Sequence, residues 1–479
     1  MRYDLIVLGN DPKGWEAALL VAELHKRVAV IAHDEFNVSG EGIREAVLLP
    51  TGVQHRVDSA EVSFRRRQLA LRHVPQRSQA TESNSSAVLR TGLLERSVDV
   101  IAGQARFTAP HEVEVIDLSN ASRRLQSDKF LIAVGTRPLR PSWVPFDGET
   151  ILDSDEFARR DRAPKSMIVV GGDPFTLEQA MRIAVLGTRV AVVDSAPRLL
   201  EFCDQQMADL LRRQAESYGV LFRLGRSISA IEKTIDNRAV VRLVGGKTLI
   251  AECVLYASCR HGRTDALNLK AAELMVDEQG RLWCNEHGQT WVKHIYGIGE
   301  VVGFPTLASE SLEQAHRFAQ HAFGQPENIG TVTSFGLSTI PELAMVGATE
   351  EQLQHDLVAY EVGVSRFHDG LRGDRDGPAT GTLKLLFHRE SLQLLGVHCL
   401  ANSASELIRI GQTVMSFGGS IEAFCDVSLH DSVLSDCFRR AAEDGLRRKD
   451  QEQAMSKPLL RIWRPGTRRR RRRPVPSTI

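Results

Sequence analysis

Two strand–turn–helix units constrain the fold of this chain more than any other feature of its sequence. At residues 9–14, GNDPKG follows the apolar run DLIVL and precedes the helical pattern WEAALLVAEL. At residues 171–176, GGDPFT follows SMIVV and precedes LEQAMRIAVLG. Each helix leads into a second apolar strand, RVAVI at 27–31 and RVAVV at 189–193. Two such βαβ units predict two parallel sheets covered by helices, and therefore an α/β protein with an internal repeat.

Both turns differ from the G-x-G-x-x-G pattern that a Rossmann-like dinucleotide-binding domain places between its first strand and helix. Asp11 replaces the middle glycine of the first turn, and Asp173 stands in the same place in the second. Glycine lets a pyrophosphate approach the helix N-terminus, whereas Asp followed by Pro is a preferred N-cap with a preferred first helical residue. The pattern therefore fits two interpretations, a phosphate-binding turn or a helix that caps itself.

Composition and cysteine usage narrow the class of protein. The 479 residues suggest about three domains. The 60 Lys and Arg balance 60 Asp and Glu, so the body carries no general signal for nucleic acid. Seven cysteines occur, none before Cys203 and none in a CxxC pair, which fits a reducing compartment better than a disulfide framework or zinc site. The chain enters a strand at its N-terminus and has no run of 18 apolar residues, so we expect a cytoplasmic protein that spans no membrane.

The rest of the chain contains further strands, a change of pattern and a basic tail. Strands are predicted at residues 250–256 and 294–298. After residue 331, alternating strands and helical runs predict a separate α+β domain. From residue 448 the sequence is charged, then rich in Pro and Arg, and is predicted to be disordered. The six arginines Arg468–Arg473 predict at most a weak, salt-sensitive contact with nucleic acid or an acidic partner.

Several longer stretches carry a resemblance to a known family. FLIAVGTRPLRP is similar to the segment that returns from the nucleotide domain onto the flavin in flavoprotein disulfide reductases, and HIYGIGEVVGFPTLAS to their second flavin-binding stretch. STIPELAMVGATEEQL resembles the opening of their dimerisation domain. LLEFCDQQMADLL, LYASCRHGRTDALNL and LKLLFHRE resemble the soluble pyridine nucleotide transhydrogenase branch. The resemblance covers residues 1–446 and implies two Rossmann-like FAD/NAD(P)-binding domains plus a C-terminal α+β dimerisation domain.

The same resemblance implies a division of the chain into domains. These are an FAD-binding domain in two parts, residues 1–150 and 278–330, an NAD(P)-binding domain at 151–277, a dimerisation domain at 331–447 and a disordered basic tail at 448–479. A homodimer is expected, because the family forms its C-terminal acid–base pair across a dimer.

The resemblance also implies cofactor contacts at glycines, small polar residues and acids in or beside the turns. For FAD these are Gly9, Asp11, Gly14, Asp34, Glu35, Gly135, Thr136, Gly299 and Glu300, and for the pyridine nucleotide Gly171, Asp173 and Asp194. Glu300 stands where the family usually has Asp, and Asp34 or Glu35 lies just past the usual ribose-binding Glu. Asp194 would accept a hydrogen bond from a ribose 2′-OH and repel a 2′-phosphate, which predicts a preference for NAD(H). A solvated residue at a strand end is the alternative for Asp194.

The residues that carry redox chemistry in the disulfide reductases are absent or displaced. The family's C-x-x-x-x-C pair falls on SGEGIREAVLLP, which holds no cysteine, and this disfavours disulfide reduction by that route. In SLHDSVLSDCFRRAAEDGL, Asp431 stands where the family has His, His430 lies beside it, and Asp436 replaces the partner Glu. His430 and Asp436 are therefore the candidate catalytic pair, although a surface His beside an Asp is the simpler interpretation.

Two functions remain compatible with the sequence. The first is an FAD-dependent NAD(P) oxidoreductase resembling soluble transhydrogenase, in which hydride passes from NADPH through flavin to NAD⁺ without a protein nucleophile. The alternative is a catalytically inactive relative that acts as a dimeric binding or regulatory scaffold, with both turns sealed by their Asp-Pro caps. Retention of FAD distinguishes the two.

Overall fold

The computed structural model describes residues 1–32, 87–158, 160, 162–303, 311–324, 332, 334–367, 381–426 and 435–456. The strands of this part of the chain are β1 (Arg2–Leu8), β2 (Val28–Ala32), β3 (Asp99–Ala102), β4 (Gln104–Ala109), β5 (Glu112–Ile116), β6 (Ser122–Ile132), β7 (Thr136–Pro138), β8 (Ile151–Leu152), β9 (Ser166–Val170), β10 (Arg189–Val193), β11 (Val220–Arg223), β12 (Ile228–Lys233), β13 (Ala239–Leu243), β14 (Thr248–Ala251), β15 (Cys253–Tyr256), β16 (Arg260–Gly262), β17 (Ile295–Gly297), β18 (Ser334–Leu337), β19 (Glu342–Gly347), β20 (Tyr360–Arg366), β21 (Thr382–His388) and β22 (Leu394–Ala401).

The same residues contain α-helices and short 3₁₀ helices. The α-helices are α1 (Pro12–Glu23), α2 (residues 87–95), α3 (Ser154–Ala158), α4 (Pro174–Val185), α5 (Gln205–Ser217), α6 (Ser311–Phe323), α7 (Glu350–His355), α8 (Ala404–Ser416), α9 (Glu422–Asp426) and α10 (Asp436–Ser456). The 3₁₀ helices are Asp265–Leu267, Leu269–Ala272 and Gly299–Val301.

The first sheet has seven strands in the order β3-β2-β1-β6-β5-β4, and β17 also pairs with β6. β1 is parallel to β2 and to β6, while β4, β5 and β6 form an antiparallel meander. Every residue of β2 is buried, as expected for a parallel strand covered on both faces. Leu8 of β1 and Gly297 of β17 both pair with Ile132 of β6. The turns that follow these three strands are therefore neighbours at one edge of the sheet.

The second sheet repeats this arrangement with five parallel strands in the order β11-β10-β9-β15-β8. Val170 of β9 pairs with Val193 of β10 on one side and with Tyr256 of β15 on the other. The turns after these strands therefore lie side by side as well. In open parallel sheets, ligands bind outside the carboxyl ends of the strands, so both edges are candidate positions for a ligand.

The single strand predicted at residues 250–256 was wrong, because the segment divides between two sheets. β14 belongs to the antiparallel sheet β12-β13-β14, whereas β15 is an inner strand of the parallel sheet. Ile250 is exposed and Ala251 is buried, but all four residues of β15 are buried. Glu252 separates the strands and accepts a hydrogen bond from the Lys165 backbone N–H at 2.7 Å. The apolar sequence IAECVLY does not reveal this change of sheet, because both halves favour extended backbone.

A five-stranded antiparallel sheet forms the C-terminal unit, in the order β18-β19-β22-β21-β20. Helices α8 and α10 pack against it, and α10 crosses β20 so closely that a Cβ added to Gly363 would overlap the Ala441 carbonyl. Phe335, Leu343 and Leu400 of this sheet share one buried cluster with residues of the second parallel sheet. The C-terminal unit is therefore joined to the second domain by a continuous apolar core.

The predicted fold class, α/β domains followed by an α+β unit, is confirmed. The exact domain boundaries stay a prediction from the family resemblance. The prediction of disorder from residue 448 was wrong for residues 448–456, because they continue helix α10. Residues 457–479, including Arg468–Arg473, lie outside the described residues. Within the described ranges, no helix combines the length and the apolar character needed to cross a bilayer.

Candidate functional site

The two glycines of the first turn are required by close packing of the chain. Gly9 has φ +123°, and a Cβ added there would overlap the carbonyl oxygen of Ala133. A Cβ on Gly14 would overlap the Ala133 side chain. The turn therefore lies directly against the end of β6, and these glycines have a structural reason to be present whether or not a phosphate binds.

Asp11 is the N-cap of α1, as the Asp-Pro pattern predicted. Its Oδ1 accepts a hydrogen bond from the Lys13 backbone N–H at 3.0 Å, and its carbonyl accepts one from the Gly14 N–H at 2.9 Å. Pro12, the first residue of the helix, has no N–H to offer. The donors that a phosphate would use at this helix end are therefore bonded to Asp11 itself.

The other carboxylate oxygen of Asp11 faces the turn after β17. Gly299 has φ +79°, and a Cβ added to it would overlap the Asp11 carboxylate. The Gly299 backbone N–H donates to the Gln314 side-chain oxygen of α6 at 3.1 Å. Burial raises the pKa of the Asp11 carboxyl, and the nearby Glu300 carboxylate raises it further. The structure thus brings the first turn and the predicted second flavin-binding stretch into contact.

Glu300 is held by a threonine and an arginine from two other segments. The Thr136 hydroxyl donates to Glu300 Oε2, and Arg260 Nε lies 3.5 Å from the same oxygen. Arg260 also donates from Nε to the Thr136 hydroxyl at 2.7 Å and from Nη2 to the Thr136 carbonyl at 3.2 Å. The neighbouring Gly135 has φ +63° and open space where a Cβ would lie. Thr136, Glu300 and Arg260 therefore form one polar cluster beside the first turn.

Arg260 connects this cluster to the second nucleotide domain. Its Nη1 donates to the Ser154 hydroxyl at 3.1 Å and lies 3.4 Å from Asp155 Oδ1. Its guanidinium carbon is 5.2 Å from the centroid of the Phe175 ring, within the range of a cation–π contact. Phe175 is the second residue of α4, directly after the second turn. One arginine thus joins the surroundings of both turns.

The second turn is closed by its own aspartate more firmly than the first. Gly171 has φ +117°, and a Cβ added there would lie 2.7 Å from Ser258 Cα. Asp173 caps α4 with two oxygens, because Oδ1 accepts from the Thr176 N–H at 3.0 Å and Oδ2 from the Thr176 hydroxyl at 2.8 Å. The Thr176 hydroxyl also lies 2.8 Å from the Ala257 carbonyl. This cap is anchored to the neighbouring strand end.

Asp194 directly follows β10 and lies against the second turn. Its Oδ1 accepts a hydrogen bond from the Ala196 N–H at 2.8 Å, and a Cβ on Gly172 would overlap its other oxygen. Burial raises the pKa of the Asp173 carboxyl, and the negative charge of Asp194 adds to this effect. Each turn therefore has a capping aspartate and a second acid nearby, Glu300 at the first and Asp194 at the second.

Comparison with known proteins identifies the architecture built around these turns. The model of the pyridine nucleotide-disulphide oxidoreductase family matches residues 3–322, and the model of its dimerisation domain matches residues 336–441. The chain belongs to this family. Its members are FAD- and NAD(P)-binding flavoprotein oxidoreductases, and the predicted resemblance is confirmed.

Two similar relatives within the family are both named soluble pyridine nucleotide transhydrogenase. The soluble pyridine nucleotide transhydrogenase of Mycobacterium tuberculosis (strain ATCC 25177 / H37Ra) is 38% identical over 455 residues, covering 92% of this chain and 97% of the relative. The soluble pyridine nucleotide transhydrogenase of Photobacterium profundum is 33% identical, covering 93% and 98%. Among solved structures, LpdA from M. tuberculosis matches with a TM-score of 0.81 at 23% identity, over 92% of this chain and 99% of that one. RclA from Escherichia coli, a flavoprotein disulfide reductase, matches with a TM-score of 0.78 at 20% identity and the same coverage.

The donors and charges of the first turn decide whether it can hold the pyrophosphate of FAD, the family's cofactor. The Lys13 N–H is bonded to the Asp11 carboxylate, and Pro12 contributes no donor. Two unit charges about 4 Å apart near a protein surface repel by roughly 4 kcal/mol. The turn therefore does not fit a pyrophosphate while Asp11 is ionised and in place.

The structure brings together most of the sequence-predicted cofactor residues. Gly9, Asp11, Gly14, Gly135, Thr136, Gly299 and Glu300 lie around the first turn, and Gly171, Asp173 and Asp194 around the second. Their roles as cofactor contacts remain predictions. Asp34, Glu35 and His430 lie outside the described residues.

Asp436, the other predicted catalytic residue, begins α10 and forms ion pairs within that helix. Its Oδ1 accepts from Arg439 Nε at 2.9 Å, and its Oδ2 lies 3.1 Å from Arg440 Nε. These contacts account for an acid in the first turn of a helix without any catalytic role. The pairing with His430 stays a prediction.

Sequence reasoning missed the residues that hold the two turns relative to each other. Arg260, Gln314 and Phe175 were not singled out, although Arg260 lies within the stretch LYASCRHGRTDALNL that carried the family resemblance. Their partners are far away in the sequence, with Arg260 and Thr136 separated by 124 residues. Only the resemblance of that stretch could have drawn attention to Arg260.

Proposed function

We propose that this chain is an FAD-dependent oxidoreductase of the soluble transhydrogenase type, which transfers hydride from NADPH to NAD⁺. One observation carries the proposal: Arg260 contacts Thr136 beside the first turn and the Phe175 ring beside the second. A flavin and a nicotinamide bound at these two sheet edges would approach each other at this arginine. The identity of 38% to proteins named soluble pyridine nucleotide transhydrogenase supports the same activity.

The cysteines support a reaction without a protein thiol. The segment SGEGIREAVLLP, where the family's disulfide reductases carry their pair, has none, and the first cysteine of the chain is Cys203. Burial raises the pKa of Cys203, Cys253, Cys284 and Cys437 to about 12 in each case. Thiols with such values are protonated near neutral pH and are poor nucleophiles. We therefore propose that hydride transfer does not pass through cysteine.

The chain's own residues would position the reactants in this reaction. Flavin supplies the chemistry when bound, since it accepts a hydride from one nicotinamide and gives it to another. Arg260 and Thr136 fix the Glu300 carboxylate beside the first turn, which prevents it from moving towards a ligand there. Asp194 would accept a hydrogen bond from a ribose 2′-OH, so we propose that the second turn favours NAD(H) over NADP(H).

Further parts of the proposal concern assembly and location. The matched dimerisation domain supports a homodimer. We also propose a cytoplasmic location, because seven cysteines without a paired spacing fit a reducing compartment. Weak contact of Arg468–Arg473 with nucleic acid or an acidic partner remains a prediction from sequence.

One observation favours a second candidate function, a dimeric scaffold that has lost catalysis. Asp11 and Asp173 both occupy helix ends that bind phosphate in a dinucleotide-binding fold. A relative that no longer bound nucleotides would tolerate such caps in both domains. This candidate predicts that the purified protein does not take up FAD.

Hydride transfer tests the proposal directly. The FAD-supplemented protein is given NADPH and thio-NAD⁺, and thio-NADH formation is followed. Arg260→Met should lower kcat/KM at least about tenfold, because loss of a hydrogen bond to a charged group costs about 1.5–3 kcal/mol. Arg242→Met is the matched control, since Arg242 forms an exposed pair with Glu232. A protein that retains FAD but transfers no hydride contradicts the proposal.

A further inference from the structure

The two turns of this chain hold their aspartates with different strength. Asp173 bonds through both carboxylate oxygens to Thr176, whose hydroxyl also lies 2.8 Å from the Ala257 carbonyl. Asp11 bonds through one oxygen to the Lys13 N–H at 3.0 Å, and its other oxygen lies against the Cα of Gly299. Release of Asp11 therefore breaks fewer hydrogen bonds than release of Asp173.

Two acids and one cation face Asp11, and Arg260 lies 3.5 Å from one of these acids, Glu300. On its own helix Asp11 is faced by Lys13 and by Glu16, and from the turn after β17 by Glu300. Gln314 of α6 contributes an uncharged amide beside Gly299. Burial raises the pKa of both the Asp11 and the Glu16 carboxyl groups. A proton added at Asp11 would relieve both the burial of its charge and the repulsion from the two glutamates.

We propose that Asp11 is an exchangeable substitute for the cofactor pyrophosphate, and that FAD binds the first turn with uptake of one proton at the Asp11 carboxyl. This inference rests on the proposed function, because it takes FAD as the ligand. The neutral carboxyl no longer repels the phosphates and gives up the Lys13 N–H to them. Asp173, held by Thr176, stays in place at the second turn.

Proton uptake gives FAD binding a defined dependence on pH. In the complex the Asp11 carboxyl is protonated, and in the free protein it is ionised once the pH exceeds its pKa, which burial raises. Binding therefore strengthens as pH falls. Above the carboxyl's pKa in the free protein, the affinity for FAD decreases about tenfold for each unit of pH, because one proton is bound with each FAD. The affinity stops decreasing at the pH at which the carboxyl also ionises in the complex, because no proton is then taken up on binding.

The test is a titration of the full-length protein with FAD at a series of pH values. Trp15 is a reporter at the turn, since it is buried and donates from Nε1 to the Gly9 carbonyl at 3.2 Å. Its fluorescence should be quenched as FAD binds. Calorimetry in two buffers of different ionisation enthalpy counts the protons taken up per FAD.

Two substitutions make the titration specific for Asp11. Asp11→Asn keeps a capping acceptor for the Lys13 N–H but removes the charge. At the alkaline end of the pH series it should bind FAD at least about tenfold more tightly than the wild type, and it should lose both the pH dependence and the proton uptake. Asp173→Asn is the matched control, and it should leave the FAD affinity within about twofold of the wild type, because distant sites act independently.

The possible outcomes separate this inference from the proposed function. Tight FAD binding that does not vary with pH, or that takes up no proton, overturns the role of Asp11 without affecting hydride transfer. Failure of both the wild type and Asp11→Asn to bind FAD at any pH also overturns it, since the carboxylate is then not the obstacle. Proton-linked FAD binding without NADPH-dependent reduction of thio-NAD⁺ supports the inference and contradicts the proposed function.

Discussion

At the scale of single residues, we propose that Asp194 selects the ribose at the second turn. Its carboxylate is held by the Ala196 N–H at 2.8 Å and lies against Gly172. A fixed carboxylate at this edge forms a hydrogen bond with a 2′-OH but repels a 2′-phosphate. In this proposal the same residue would limit how well NADPH competes with NADH.

We expect Asp194→Asn to shift the preference of the protein towards NADPH. The ratio of KM for NADPH to KM for NADH should fall about tenfold or more, because like charges about 4 Å apart repel by roughly 1–4 kcal/mol depending on screening. Initial rates of thio-NAD⁺ reduction with each donor measure the ratio. Asp236→Asn, at an exposed turn residue, is the control. An unchanged ratio would mean that Asp194 does not face the ribose.

The Asp-Pro turns show which features of the site can be predicted from residue preferences and which cannot. Asp11 and Asp173 are N-caps followed by Pro, and the sequence predicts this because cap preference is local. The contact of Asp11 with Gly299 could not be predicted, because it depends on which strands are neighbours in the sheet. Sequence reasoning could state the two interpretations of Asp11 but not the charges that surround it.

At the scale of secondary-structure elements, a buried ion cluster connects the second domain to the C-terminal sheet. Lys384 of β21 is fully buried, and its Nζ lies 2.7 Å from Asp204 Oδ2 at the start of α5. The same ammonium group also bonds to Glu350 of α7. Lys384 and Asp204 compensate each other away from water, so each depends on the other remaining charged.

Removal of this lysine should destabilise the protein strongly. Lys384→Met leaves Asp204 buried without its cation, and we expect a loss of about 3–5 kcal/mol. The shift of the urea midpoint relative to the wild type measures it. The matched control is Lys26→Met, because Lys26 forms an exposed pair with Asp4 at 4.0 Å and should contribute about 0–1 kcal/mol. Equal effects of the two substitutions would contradict a structural role for the cluster.

His398, which pairs with Lys384 across two strands, should make stability depend on pH. It is fully buried and lies 3.0 Å from the Ala348 carbonyl through Nε2. Burial lowers its pKa below the usual 6.5, so the folded state holds it neutral while the unfolded state takes up a proton below that pH. Stability should therefore fall on acidification below about pH 6.5, by up to about 1.4 kcal/mol for each pH unit.

Substitution isolates the contribution of this histidine. His398→Gln should remove part of the decrease in urea midpoint between about pH 6.5 and pH 5. His355→Gln is the control, since the His355 side chain is largely exposed. If the wild type and His398→Gln lose stability in parallel over this range, His398 is not protonated on unfolding there.

Element types were easier to predict than the sheets that contain them. The strands and helices of the two βαβ units follow from the apolar runs and the caps that separate them. The split of residues 250–256 between two sheets does not, because one apolar run supplies an exposed-edge strand and a fully buried one. The cluster at Lys384 is also hidden, since an isolated lysine in an apolar strand gives no sign of its partners.

At the scale of the whole molecule, the second domain and the C-terminal unit share one core. Leu343 and Leu400 of the antiparallel sheet lie in the same buried cluster as Met207 of α5. Arg260 connects the first and second domains, because it donates to Thr136 of one and to Ser154 of the other. The three units are thus linked by an apolar core at one boundary and by a polar cluster at the other. Because Arg260 contacts residues beside both turns, we propose that the nucleotides would meet at this polar boundary.

Uptake of FAD by this chain distinguishes an oxidoreductase from a scaffold, and the absorption spectrum of the protein measures that uptake directly. The purified protein is mixed with excess FAD at about pH 6, where protonation of Asp11 favours binding, and is then desalted. We expect a retained flavin spectrum, and reduction of thio-NAD⁺ by NADPH in the same sample. If both the wild type and Asp11→Asn stay colourless at about pH 6, the chain does not take up FAD. That result would contradict the proposed oxidoreductase and favour the scaffold.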